Sequence, residues 1–169
     1  MKRNFLIIPA TILILAMSGC AQDSGGPKVN SDLTVDEAKR STQAMAQTLA
    51  QLVPVELVSA VDQDPDGVLI KCGGDREYQW TGMTRVTLSP EVPYDGNEVT
   101  QDIAAQYRDA SPYHARLGET SDGEPRVQVF QETGEDHLLS RSVDKSTIEI
   151  VSFSPCFTLA EGMSPSEKY

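Results

Sequence analysis

From Ala38 to Leu52 the apolar positions recur at steps of four and three: Ala38, Thr42, Met45, Leu49 and Leu52. That spacing lays one stripe along an α-helix and turns Lys39, Arg40, Gln43 and Gln47 to the other side. Just before it, Thr34-Val35-Asp36-Glu37 has the Thr-x-x-Glu spacing of a capping box, in which Thr34 and Glu37 satisfy each other's free amides. Pro54 breaks the pattern, so the helix is expected to end or bend near Leu52, with "VELVSAV" read as a further turn or two.

From Val68 the period falls to two. Tyr78, Trp80, Gly82, Thr84, Val86 and Leu88 share one face, and Gln79, Thr81, Met83, Arg85 and Thr87 the other. This alternation predicts a half-buried strand over 77–88, with Trp80, the single tryptophan, as a core anchor. Gly73-Gly74-Asp75 is expected to supply the positive φ of a tight hairpin joining it to a strand over 68–72. "SPEVPYDG" reads as a loop. A second helix is expected over 98–109, capped by Asn97 and burying Val99, Ile103 and Tyr107. In the last third, "YHARLGE", "RVQVFQE", "HLLSRSV" and "TIEIVSFS" are separated by turn-forming stretches, the spacing of an antiparallel meander. The expected fold is a single α+β domain over 33–159, with two helices packed on one face of an antiparallel sheet of five to six strands.

The first residues belong to a different regime. Lys2 and Arg3 precede an uncharged apolar run of 13 residues, Phe5 to Met17. A spanning helix needs about 20, whereas this length suits a signal-peptide core. The run ends in Met17-Ser18-Gly19-Cys20, which resembles the lipobox of bacterial lipoproteins. The resemblance covers the first 20 residues, although Met17 stands where leucine is commoner. It implies removal of residues 1–19 and a lipid on the Cys20 thiol, fastening the chain to the outer face of the cell membrane. Residues 20–32, lacking apolar periodicity, read as a flexible tether, and residues 160–169 as a disordered tail. The formal charge is −11, and loss of Lys2 and Arg3 makes it more negative. Such a surface is repelled by nucleic acid and by anionic lipid headgroups.

With Cys20 assigned to lipid, Cys72 and Cys156 remain as an even pair in an oxidising compartment, and a structural disulfide is the expected outcome. A redox pair or metal site is the competing reading, but there is no Cys-x-x-Cys, and His114 and His137 are the only imidazoles. The bridge would tie the first strand of the sheet to the last.

"DQDPDG" carries the strongest chemical signal. Asp62, Asp64, Asp66 and Gly67 match positions 1, 3, 5 and 6 of an EF-hand loop, but position 12, normally a bidentate Glu, is Gly73. A polar turn is the expectation, with a weak calcium site the alternative. No nucleophile elbow, zinc-protease helix, phosphate loop or dinucleotide fingerprint occurs. Glu132, Glu135, Asp136 and His137 read as a solvated hairpin tip. The expected function is therefore a non-enzymatic, membrane-tethered binding or accessory domain without a cofactor. Its partner would be an envelope protein or small ligand, met by a sheet face or the meander edge. An envelope hydrolase or transferase using Asp62, Asp64 and Asp75 is the rival.

The layout of lipobox, tether, helix, "LIKCGG…YQW", second helix and terminal "SFSPCF" resembles small lipoproteins of high-GC Gram-positive bacteria. That resemblance implies location and fold, and no activity.

Overall fold

The computed structural model describes residues 28–169; residues 1–19 and Cys20 lie outside the described residues. Helix α1 (Val35–Ala50) begins at the capping box: the Thr34 hydroxyl accepts from the Glu37 amide at 3.3 Å, and the Glu37 carboxylate accepts from the Thr34 amide at 3.0 Å. Its buried face is Val35, Ala38, Thr42, Ala46, Leu49 and Ala50. Three alanines on that face let the helix sit close to the sheet, while Met45 and Leu52 fill the margin.

Among the described residues nine strands form one sheet. They are β1 (Val29–Asn30), β2 (Val58–Gln63), β3 (Val68–Lys71), β4 (Glu77–Leu88), β5 (Tyr113–Glu119), β6 (Pro125–Gln131), β7 (Asp136–Arg141), β8 (Thr147–Phe153) and β9 (Cys156–Thr158). The pairing path is β1-β9-β4-β8-β7-β6-β5, with β8 and β9 end to end along one edge of β4 and β2 and β3 end to end along the other. Both helices, α1 and α2 (Gly96–Gln106), contribute to one core with Val86, Val127, Val129, Leu139, Ile148 and Ile150, so both cover the same face.

The α+β class and the meander match expectation, but the sheet is larger and mixed. β1 runs parallel to β9, pairing Val29 with Cys156 and Asn30 with Phe157. Segments of two or three residues are too short to carry a period, which is why β1 and β9 escape a pattern reading. "VELVSAV" does not prolong the helix. It makes a single 3-10 turn, Val55–Leu57, and then enters β2, where β-branched Val58 and Val61 suit a pleated surface. The second helix is capped by Asp95 rather than Asn97: its carboxylate accepts from the amides of Asn97 and Glu98 at 2.9 and 3.2 Å. Positive φ occurs at Gly123 and Gly134, in the β5–β6 and β6–β7 turns, and not at Gly73 or Gly74. The β3–β4 turn is held instead by the Glu77 carboxylate, which accepts from the Gly74 amide.

A second apolar cluster joins Val35, Ala38, Trp80, Phe157 and Leu159 beneath the start of α1. The Trp80 indole lies between two glycines. A Cβ on Gly67 would come within 2.4 Å of the ring, and one on Gly82 within 2.2 Å. The last residues, read as a disordered tail, complete this cluster. Tyr169 exchanges both backbone hydrogen bonds with Gly67, at 2.7 and 3.2 Å, and its carbonyl also accepts from the indole N–H at 3.1 Å.

Cys72 and Cys156 are bridged, with Cα atoms 6.1 Å apart. The bridge ties the end of β3 to β9, closing a loop of 84 residues in sequence separation. In the chain-entropy treatment such a loop contributes about 4–5 kcal/mol. A Cys72→Ser/Cys156→Ser double variant is expected to lose roughly that amount in urea unfolding; an unchanged midpoint would show that the bridge does not constrain the unfolded chain.

Candidate functional site

Between β6, β7 and β8, on the helix-covered face, the structure assembles a polar chain from Glu135, His137 and Ser152. The register explains it. Val129, His137, Ser152 and Gly82 lie opposite one another across β6, β7, β8 and β4. His137 shares its face with Leu139, and Ser152 with Ile148 and Ile150, all of them buried. The tight turn before β7, with Gly134 at φ +99, brings Glu135 back over the sheet, its carbonyl accepting from the Gln131 amide at 2.9 Å.

The contacts are short and continuous. Ser152 Oγ lies 2.8 Å from His137 Nδ1, and His137 Nε2 lies 3.1 Å from Glu135 Oε1. The Gln131 side-chain amide donates to Glu135 Oε2 at 2.9 Å. The Glu135 carboxylate accepts from Nε2–H, and in the tautomer that carries its proton there Nδ1 accepts from the Ser152 hydroxyl. Nearby, burial and the negative charge of Glu135 push the Tyr113 phenol up to about 12.

Serine, histidine and glutamate in sequence are the parts of a nucleophilic triad. Access decides against that use here. His137 is fully buried and Ser152 and Glu135 nearly so. The gap beside Ser152, lined by Gln43, Ala46, Gln63, Trp80 and Thr84, has no room for a water molecule. A scissile carbonyl would need to approach Oγ to about 3 Å. The chain therefore serves as an internal polar link in which each buried group has a partner.

Sequence reading placed Glu135 and His137 on a solvated tip; their burial corrects that. Position relative to Leu139 was the available signal. His137 is two residues before it and Glu135 four, so both point inward.

The "DQDPDG" residues are separated by the structure. Asp62 lies in β2 opposite Arg85, on the face away from the helices. The Asp64 carboxylate accepts from Arg85 at 2.8 Å, its amide donates to the Met83 carbonyl at 3.0 Å, and its carbonyl accepts from Gln43 at 3.0 Å. Asp66 is exposed, and Gly67 is bound to Tyr169. The turn is stapled to α1, β4 and the chain's last residue. Asp75 sits in the β3–β4 turn, 3.8 Å from Lys71, so Asp62, Asp64 and Asp75 do not share one cleft. Among the described residues no three His, Cys, Asp or Glu side chains gather as metal ligands. His114 is exposed on β5, tilted against Phe130 at 5.8 Å.

The uncovered face is a mixed surface. Met83, Val151, Leu138, Gln128 and Arg116 form one row across β4, β8, β7, β6 and β5. The Arg116 guanidinium lies 5.3 Å from the Phe130 ring centroid. Asp136, half-buried beside this row, has its pKa raised by burial.

No family model matches the sequence, and no curated protein does. The fold is similar to the crystal structure of a DUF4853 family protein from Actinomyces odontolyticus, with a TM-score of 0.50 and 13% identity. The match covers 83% of this chain and 80% of that one. At that identity the likeness concerns the fold alone.

Ser152→Ala should cost about 1–3 kcal/mol in urea unfolding, because buried Nδ1 loses its donor. His137→Ala should cost more, about 3–5 kcal/mol, since it also strands the Glu135 carboxylate. Equal and negligible losses would remove the structural role.

Proposed function

We propose that this chain is an exported lipoprotein whose folded domain is a non-enzymatic binding or accessory module at the outer face of the cell membrane. The observation that carries the reading is the bridge between Cys72 and Cys156. Such bonds persist in oxidising compartments, and forming this one leaves Cys20, behind Met17-Ser18-Gly19, as the remaining thiol in the sequence. Lipid on that thiol needs more than one chain for a stable anchor, which the diacyl group supplies.

The entry of the chain into the fold suits a tether. Eight residues separate Cys20 from Val29, and fully extended they reach at most about 28 Å. Val29 pairs with β9 at one edge of the sheet. β8 and β9 follow one another along the same edge of β4, opposite β3, so β1 stands in line with β7 and the tether enters the sheet two strand steps, about 10 Å, from the column of β5. The domain's polar core chain is sealed, so binding falls to the surfaces: the uncovered sheet face and the β5 edge.

The test is Cys20→Ala in cells of the source type. The native protein should fractionate with membranes and carry the mass of its acyl chains, and the variant should lose both properties. A variant that remains equally membrane-bound, or a native product without lipid mass, would refute the anchor.

A further inference from the structure

We propose that two copies of this chain associate through β5, pairing their edge strands antiparallel about a two-fold axis at Leu117. β5 is the last strand of the sheet and is hydrogen-bonded on one side only, to β6. Its seven residues pair with β6 without a bulge. Natural sheets usually cover, twist or charge such an edge, because its free amides and carbonyls template another strand.

The register identifies the free groups. The Thr120 amide bonds the Glu124 carbonyl at 2.9 Å. In an antiparallel pair alternate residues make such bonds, so the even-numbered residues of β5 turn their backbone groups to β6. Ala115, Leu117 and Glu119 turn theirs outward. The Tyr113 amide is already taken by the Ala110 carbonyl at 3.0 Å.

The side chains of the same three residues lie on the helix-covered side, since Ala115 and Leu117 stand opposite the buried Val129 and Val127. Leu117 is nonetheless 50% exposed. It lies between two hollows alongside α2, one reaching Thr100 and Pro125, the other reaching Ala104, Arg108 and Ala115.

Charge selects a second copy as the occupant. On the helix-covered side of the edge the first half carries Arg108 and the second half Glu119, while Glu124 is already paired with Lys145. An antiparallel arrangement sets each half against its opposite. Face matching requires residues of like parity to oppose one another. With Leu117 facing Leu117 of the second copy, Ala115 faces Glu119 of the second copy. That carboxylate then enters the hollow shared by Ala115 and Arg108, and the contact occurs twice by symmetry. Neither Arg108 nor Glu119 has an ion-pair partner among the described residues. The three opposed pairs exchange about six backbone hydrogen bonds, and the two leucines cover each other at the axis. A two-fold contact of this kind closes at the dimer and leaves no further β5 edge to extend.

The experiment is sedimentation equilibrium of the purified full chain in detergent over a concentration series. The native protein should show a monomer–dimer equilibrium. Arg108→Glu and Glu119→Arg should each weaken it roughly tenfold or more, as like charges then face each other. The double variant Arg108→Glu/Glu119→Arg should recover it, which a merely unfolded variant cannot do. A native chain that stays monomeric at every concentration overturns the proposal. So does a dimer indifferent to the single changes, or one that the double variant fails to restore.

Discussion

Seven residue pairs between β4 and β8, from Thr81–Phe153 to Thr87–Thr147, join the two parts of this fold. On one side stand α1 and the strands β2 and β3, which pair with β4. On the other stands the meander β5–β8 with α2 above it. Every other arrangement described above depends on this seam. It sets Gly82 opposite Ser152, the residue that β7 pairs with His137, and it brings both helices over one core. Pairings of such sequence separation carry a loop-closure cost. The Cys72–Cys156 bridge ties β3 to β9, the strand that follows β8 along β4, and lowers that cost by restricting the unfolded chain.

The covered side of the seam combines two kinds of packing. Near α2 it is aliphatic, with Val127, Val129, Leu139 and Ile150 fully or almost fully buried. Toward the other end it becomes polar and aromatic, with Ser152 and His137 beside Gly82 and Trp80. Gly82 has no side chain because the indole occupies that space. The polar chain survives there because it is complete: hydroxyl to ring, ring to carboxylate, and carboxylate to the Gln131 amide. An incomplete chain would carry the desolvation penalty without compensation. The same closure that stabilises the chain keeps substrates from it.

Much of this was legible in the sequence. The capping box at Thr34, the stripe of α1, the long alternation of β4 and the four-strand meander all follow from period and turn chemistry, and the pairing of Cys72 with Cys156 from cysteine arithmetic. What escaped had physical reasons. β1 and β9 are too short to show alternation, and β2 begins one turn after a proline, where helix and strand readings compete. Asp95 outcompeted Asn97 as the cap because its carboxylate reaches two amides. The inward polar residues were misplaced because residue type was weighed above parity: His137 and Glu135 look like a solvated tip until counted from Leu139. The docking of Tyr169 on Gly67 and Trp80 is a tertiary contact with no local signature, and its partner residues in "DQDPDG" look like a metal loop instead.

The central claim is that the β4–β8 seam makes both parts one cooperative unit around a closed polar core. Native-state hydrogen exchange of the full chain tests it most directly, since amides that open only in global unfolding report a common free energy. The account predicts that the hydrogen-bonded amides of β4, β7 and β8 exchange last and share one opening free energy. Separate values for the part containing α1 and β4 and for the meander, with β8 amides opening alone, would contradict it.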